Sequence, residues 1–244
     1  MATLNKSNIP STFSGSFGNG WHVMSRHFLV LLLVVIVTGI ILFPTQLFRI
    51  NYQPNHFKWD WNDNNFDFLG TGGLVALGIL ALILGLIAMV YSLLIVPVFR
   101  YGANLMFVHA VRDIRPEFET LIKGFKENYL YIVLANLLTL ALVMLGMILL
   151  IIPGIIVACR LAFVSYLVMD KKLDPIIAVE ESWRMTRGHG WTVFFMALVS
   201  FFIFIAGFVL FFVGIIPATM WVKSSFASLY EAVLTEKETE TVTG

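Results

Sequence analysis

Long apolar runs alternate along this chain with two polar stretches of helical periodicity. The first run, His27 to Phe48, is long enough to cross a bilayer as a helix. The second goes from Gly72 to Val98 and continues through "FRYGANLMFVHAVRD". The third begins at Tyr129 and continues to Met169, interrupted only by Pro153-Gly154. One helix over those 41 residues would be about 60 Å long, against a hydrocarbon core of about 30 Å. A turn at Pro153-Gly154 is therefore predicted, giving two spans. For the same reason a break is predicted at Gly214 to Pro217, between the run Trp191–Val213 and the last apolar segment, which ends near residue 235.

Between the runs, Phe118, Leu121, Ile122 and Phe125 sit at i, i+3, i+4 and i+7, opposite Glu117, Glu119, Lys123, Lys126 and Glu127. This predicts an amphipathic helix over about 114–128, its apolar stripe on the membrane surface. A second is predicted over about 174–188. Asp174 would be its N-cap and Pro175 its first helical residue, with Ile176, Val179 and Trp183 repeating along one side. Residues 1–26 are polar. Phe13, Phe17 and Trp21 recur every fourth position, which suggests a short interfacial helix, but Gly15, Gly18 and Gly20 weigh against its stability. Residues 49–69 form the one long hydrophilic loop, with five Phe and Trp residues suited to a headgroup layer. The tail 236–244 is expected to be disordered.

Composition places the elements in a membrane. The chain has 244 residues, 59% of them hydrophobic and 13% charged, where a soluble domain carries roughly a quarter charged residues. Mean hydropathy is +0.86. The first run is too long for the apolar region of a signal peptide and reads as a retained span. The lone Cys159 forms no internal disulfide and reads as a small buried apolar residue.

Charge selects the topology. With both turns there are six spans, residues 27–235 form one helical membrane domain, and both termini share a side. Twelve of the 16 Lys and Arg then lie on that side: Lys6, Arg26, Arg100, Arg112, Arg115, Lys123, Lys126, Lys171, Lys172, Arg184, Arg187 and Lys237. By the positive-inside rule that side is cytoplasmic. A seven-span arrangement with Pro97 as a further turn would scatter these charges and ranks lower. A weak repeat supports six spans. Pro97, Pro153 and Pro217 each precede a Phe (Phe107, Phe163 and Phe226) by nine or ten residues, and Asn104, Arg160 and Lys223 each stand three residues before that Phe.

Arg160 and Lys223 remain inside the membrane on this map, at nearly equal offsets from their turns. A Lys or Arg at the centre of a span costs about 2.5–3.5 kcal/mol on insertion scales. Either the two, with Asn104, form a site for an anionic group, or each snorkels to the interface or bonds backbone carbonyls freed at the Pro breaks. The bland alternative is the commoner one for such residues. His109 and Asp113, at i and i+4, lack a third metal partner, and "DWNDNNFD" lacks the glycine and glutamate of a calcium loop. No hydrolase, zinc-protease or phosphate-loop motif occurs, so no catalytic residue, metal or cofactor is expected.

The string "IIPGIIVACRLAFVSYLVMDKKLDPIIAVEESWRMTRGHGW" resembles the bacterial integral membrane proteins known as glycerophosphoryl diester phosphodiesterase membrane domains, and related membrane families of unknown function. The resemblance rests on Pro153, Gly154, Ile155, Asp170, Glu181, Ser182, Trp183, Thr186, Arg187 and Gly188, and covers about residues 100–235. It implies a six-span helical fold in a bacterial inner membrane. The diesterase activity of the family name is not expected to transfer, because no catalytic diesterase domain is evident within these residues. The expected function is non-enzymatic: binding of lipid or an amphipathic molecule, or support of a protein partner or a second copy, with no nucleic acid involved. The alternative is a small transporter for an anionic amphiphile acting around Arg160 and Lys223.

Overall fold

The structure is a computed structural model that describes residues 10–47, 71–209 and 214–243. Among these residues it is all-helical. The helices are α1 (Phe13–Arg26), α2 (Phe28–Leu47), α3 (Thr71–Leu94), α4 (Val96–Val111), α5 (Glu119–Glu127), α6 (Tyr129–Leu149), α7 (Ile151–Arg160), α8 (Val164–Asp170), α9 (Pro175–Met185), α10 (Gly190–Val209) and α11 (Ile215–Thr243). The expected outer loop 49–69 lies outside the described residues.

Among the described residues four stretches are long and apolar enough to cross a membrane: Gly78–Val111, Tyr129–Leu149, Ile151–Asp170 and Gly190–Val209. A fifth arises if α1 and α2, bent by 96° at His27, count as one broken span. The described residues thus carry four or five such stretches where the sequence pattern predicted six spans. The expected span missing from either count is α11. Its apolar stretch is diluted by Lys223, Ser224, Ser225, Ser228 and Glu231, and its burial comes from protein neighbours.

The opening between α6 and α7 sits three residues before the expected turn. Leu150 is extended (φ −164°, ψ 148°), and Pro153 falls within the first turn of α7, where its missing N–H has no helical partner to lose. The two helices double back on each other. A Cβ on Gly146 would stand 3.0 Å from the Gly154 Cα, and one on Gly154 would stand 2.9 Å from the Met147 Cα, so two glycines permit backbone contact there. The second hairpin, α10 and α11, closes in the same way, with Gly207 against Gly214 and Ala218. Pro97 makes no turn: it occupies the first turn of α4, and α3 and α4 run on as one 34-residue stretch, Gly78–Val111.

The core lies between α4, α8 and α11; the repeat segments lie on α4, on α7 up to Phe163 at the N-cap of α8, and on α11. Phe107 and Phe163 are fully buried. Tyr230 stacks on Tyr166 at 5.0 Å between ring centroids and meets Phe163 edge-on at 5.7 Å. Two terminal expectations change. Residues 13–26 form a regular helix packed along α11, and the glycine that counted against it is what fits it there: Gly20 faces the backbone of Ser225, with a Cβ only 2.7 Å from the Ser225 Cα. Trp221 Nε1 donates to Phe17 O at 3.1 Å, and Asn19 Nδ2 donates to Ser228 Oγ at 3.0 Å. Residues 236–243, expected to be disordered, continue α11. Contacts from His189 to Glu236 (3.3 Å) and from Lys171 to Glu238 (2.9 Å) hold them against the bundle.

Candidate functional site

Three polar features occupy the bundle, each where apolar helices had to accommodate a charge or a freed backbone group. The first is an ion cluster that joins the ends of α4, α8 and α11. Arg112, the C-cap of α4, forms a fork on Asp170, with Nη1 to Oδ1 at 2.6 Å and Nη2 to Oδ2 at 2.8 Å, and its Nε reaches Glu231 Oε2 at 2.9 Å. The Tyr230 hydroxyl donates to Asp170 Oδ2 at 2.9 Å. The Asp170 and Glu231 side chains are only 8% and 14% exposed, so the guanidinium is what makes their burial tolerable. Burial opposes the Arg112 charge, but its hydrogen bonds to Asp170 and Glu231 outweigh that and hold its pKa above the ordinary value. The sequence pattern groups Arg112 with the other cytoplasmic cations, and the cluster was missed on that basis. A signal existed: Arg112 and Glu231 each follow the repeat Phe by five residues and Asp170 by seven.

The second feature is a cleft of about 710 Å³ between α2, α4 and α11. Val34, Val35, Ile40 and Ile216 supply apolar wall, and Arg100, Asn104 and Lys223 are the polar groups on it. Lys223 Nζ donates to Asn104 Oδ1 at 3.3 Å and stands 5.7 Å from the centroid of the Phe107 ring. Asn104 Nδ2 passes the chain on to Ser165 Oγ at 3.0 Å. Among the described residues no carboxylate lies within ion-pair distance of Lys223 or Arg100. Glu231, eight residues on from Lys223 along α11, is taken by Arg112. Arg100, assigned from sequence to the cytoplasmic side, sits within the span Gly78–Val111. It is twelve residues, about 18 Å along the helix, from Arg112.

The third feature is the interruption between α7 and α8. The helix ladder fails over Leu161 to Phe163, where Val164 N–H turns to Leu161 O at 3.2 Å and leaves the Arg160 carbonyl unclaimed by the helix. Ser182, projecting from α9, fills both sides of the gap. Its hydroxyl donates to Arg160 O at 2.8 Å and accepts from Phe163 N–H at 3.2 Å. Thr186 Oγ1 also approaches Arg160 O, at 3.3 Å. Both side chains are fully buried. The "ESWRMT" motif thereby satisfies the backbone of a broken span.

The predicted site residues are therefore divided. Asn104 and Lys223 meet in the cleft between α2, α4 and α11. Arg160 lines a separate groove of about 480 Å³ between α7 and α10, its Cζ 5.7 Å from the Trp183 ring centroid. The equal depth expected for Arg160 and Lys223 is not seen. Gly190 is beside the Arg160 guanidinium, and its neighbour His189 pairs with Glu236, whereas Lys223 is thirteen residues, about 20 Å, from Glu236 along α11. Of the surface residues, Phe118, Ile122, Phe125 and Trp183 are exposed at 44%, 45%, 39% and 38%. Leu121 is not on that surface: at 4% exposure it packs into α4, where Gly102 leaves room for the α5 backbone. The stripe of α9 that faces the protein is Pro175, Ala178, Ser182 and Met185, while Ile176 and Trp183 face outward. Asp113 lies past the end of α4 at φ 57° and pairs with Arg26 (2.7 Å) and His27 (3.4 Å) and not with His109. Among the described residues no three His, Cys, Asp or Glu side chains are grouped to hold a metal ion. No protein-family model, curated protein or solved structure matches this chain.

Proposed function

We propose that this chain is a non-enzymatic membrane module that holds an anionic amphiphile in the cleft between α2, α4 and α11. The observation that carries the reading is that two cations, Lys223 and Arg100, line one apolar-walled cleft with no carboxylate of the described residues within ion-pair distance. Positive charge within apolar surroundings is costly unless an anion or hydrogen bonds compensate it, and among the described residues Lys223 finds one side-chain oxygen, that of Asn104. A phosphate or carboxylate headgroup would supply the missing charge, with Asn104 fixing its position. An acyl or similar tail fits the wall made by Val34, Val35, Ile40 and Ile216.

The finer map belongs to the same proposal. It has α11 as a sixth, protein-shielded crossing, both termini on the cytoplasmic side of a bacterial inner membrane, and α5 and α9 lying at that face. The clustering of Lys and Arg supports the orientation, and the family resemblance over residues 100–235 supports the location. Two experiments test these readings. Native mass spectrometry of protein released from its own membrane should show a bound anionic amphiphile, lost in Lys223→Gln with Arg100→Gln. A double variant that keeps the same species sinks the cleft. In a Cys159→Ala background, cysteines at Lys123 and Lys171 should label from one side and a cysteine at Asn64 from the other. Labelling of Lys123 and Lys171 from opposite sides sinks the six-span map.

A further inference from the structure

We infer that the groove between α7 and α10 is a second, independent lipid site, in which Arg160 takes the phosphate of a diacyl phospholipid at the polar end of the bundle. The Arg160 backbone and side chain have separate roles. Its carbonyl is satisfied by Ser182 and Thr186, but its guanidinium is not: Nη1 is buried and has no hydrogen-bond partner among the described residues. No carboxylate of those residues lies within ion-pair distance of it. What it does have is the Trp183 ring, a contact that steadies a cation without neutralising it. An arginine with fork-shaped donors and no acid suits a phosphate oxygen pair.

The surroundings fit a lipid in preference to a free ion. From Arg160 the groove runs past Cys159, Ile156, Ile155 and Ile152 on α7, with Phe194 on α10 opposite. Arg160 to Ile152 is eight residues, about 12 Å of apolar wall along one helix. Ile152 and Ile156 are 72% and 52% exposed, so the wall is open on the side where chains of a bilayer would lie. Trp191 lines the mouth at 73% exposure, and Trp183 stands beside it. Exposed indoles of this kind mark the headgroup layer. The depth agrees, because His189, between the groove residues Gly188 and Gly190, pairs with Glu236 at the polar end of α11. Gly190 lies against the guanidinium, within ordinary van der Waals reach: a Cβ there would stand 3.8 Å from Cζ. The Lys223 cleft shares no lining residue with this groove, so either site stands if the other fails.

The test uses the full chain, stripped of lipid in detergent, with Lys223→Gln and Arg100→Gln present so that the cleft does not contribute. Native mass spectrometry then follows titration with dioleoylphosphatidylglycerol and, separately, with dioleoylglycerol, which has the same chains and no phosphate. One phosphatidylglycerol should bind at least about tenfold more tightly than the diacylglycerol, and adding Arg160→Gln should remove that difference. Millimolar inorganic phosphate should not displace the lipid. The comparison of the two lipids needs no change at position 160, so it decides the matter even where Arg160→Gln melts early. Equal binding of the two lipids, or unchanged binding in a folded Arg160→Gln variant, overturns the site. Displacement by inorganic phosphate overturns the lipid assignment and leaves a simple anion site.

Discussion

Replacing Ser182 by alanine isolates the contribution of the hydroxyl at the broken span. The change removes one hydroxyl and almost no volume. It deletes the 2.8 Å bond to Arg160 O and the 3.2 Å bond from Phe163 N–H, both in a fully buried position. Thr186 remains near the carbonyl at 3.3 Å, so the carbonyl keeps a partial donor. Phe163 N–H makes no backbone hydrogen bond among the described residues: at the break it does not reach Cys159 O, the acceptor a continuous helix would give it. An unsatisfied buried donor costs about 1–3 kcal/mol, and the weakened carbonyl bond adds up to about 1 kcal/mol. Within a membrane such losses fall toward the low end, because the unfolded chain also finds partners. The expected total is about 2 kcal/mol, a fall in Tm of roughly 4–8 °C for a chain of this size. Thr186→Val removes the longer bond together with the hydroxyl's 2.8 Å bond to Ser182 O, but each carbonyl keeps a donor, Ser182 Oγ on Arg160 O and Thr186 N–H on Ser182 O, so it should cost under about half as much. Thermal unfolding of the purified protein, followed by circular dichroism in one detergent, measures both. If Ser182→Ala melts within about 1 °C of the parent, or Thr186→Val costs more than Ser182→Ala, the assignment of Ser182 to the gap is wrong.

Three further outcomes are expected. Gly154→Leu should open the α6–α7 hairpin at a cost of about 1–3 kcal/mol, because its Cβ would stand 2.9 Å from Met147 backbone atoms; Gly85→Leu, with nothing within 4 Å, should leave Tm unchanged in the same assay. Arg112→Met should cost about 3–5 kcal/mol at neutral pH by stranding Asp170 and Glu231. Adding Asp170→Asn to Arg112→Met leaves one stranded carboxylate fewer and should recover part of that loss; a double variant no more stable than Arg112→Met contradicts the cluster. Glu127 is held below its ordinary pKa of 4.5, first by its hydrogen bond from Lys172. Its contribution is present above about pH 4.5 and lost as pH falls through the lowered folded value, so Lys172→Gln should flatten that part of the pH–Tm curve.

Sequence alone determined what depends on neighbouring residues. The long apolar runs required helices in a membrane, and length against bilayer thickness required Tyr129 to Met169 to fold back on itself. Asp174 and Pro175 marked the start of α9. Spacing located the three repeat segments that build the core, and the cost of Lys223 and Arg160 in apolar runs singled them out. Tertiary structure decided what depends on which helices touch. Lys223 meets Asn104 because α4 and α11 pack together, while Arg160 faces α10 because α7 breaks after ten residues and Ser182 stabilises the break. The three-helix ion cluster went unread, since Arg112, Asp170 and Glu231 are far apart in the chain, each looked like a charge at the end of a span, and only their similar offsets from the repeat Phe residues hinted at it. The glycines of α1 were misread for the same reason: helix propensity is a local quantity of about 1 kcal/mol per glycine. The close fit of Gly20 on Ser225 exists only once α11 is beside it.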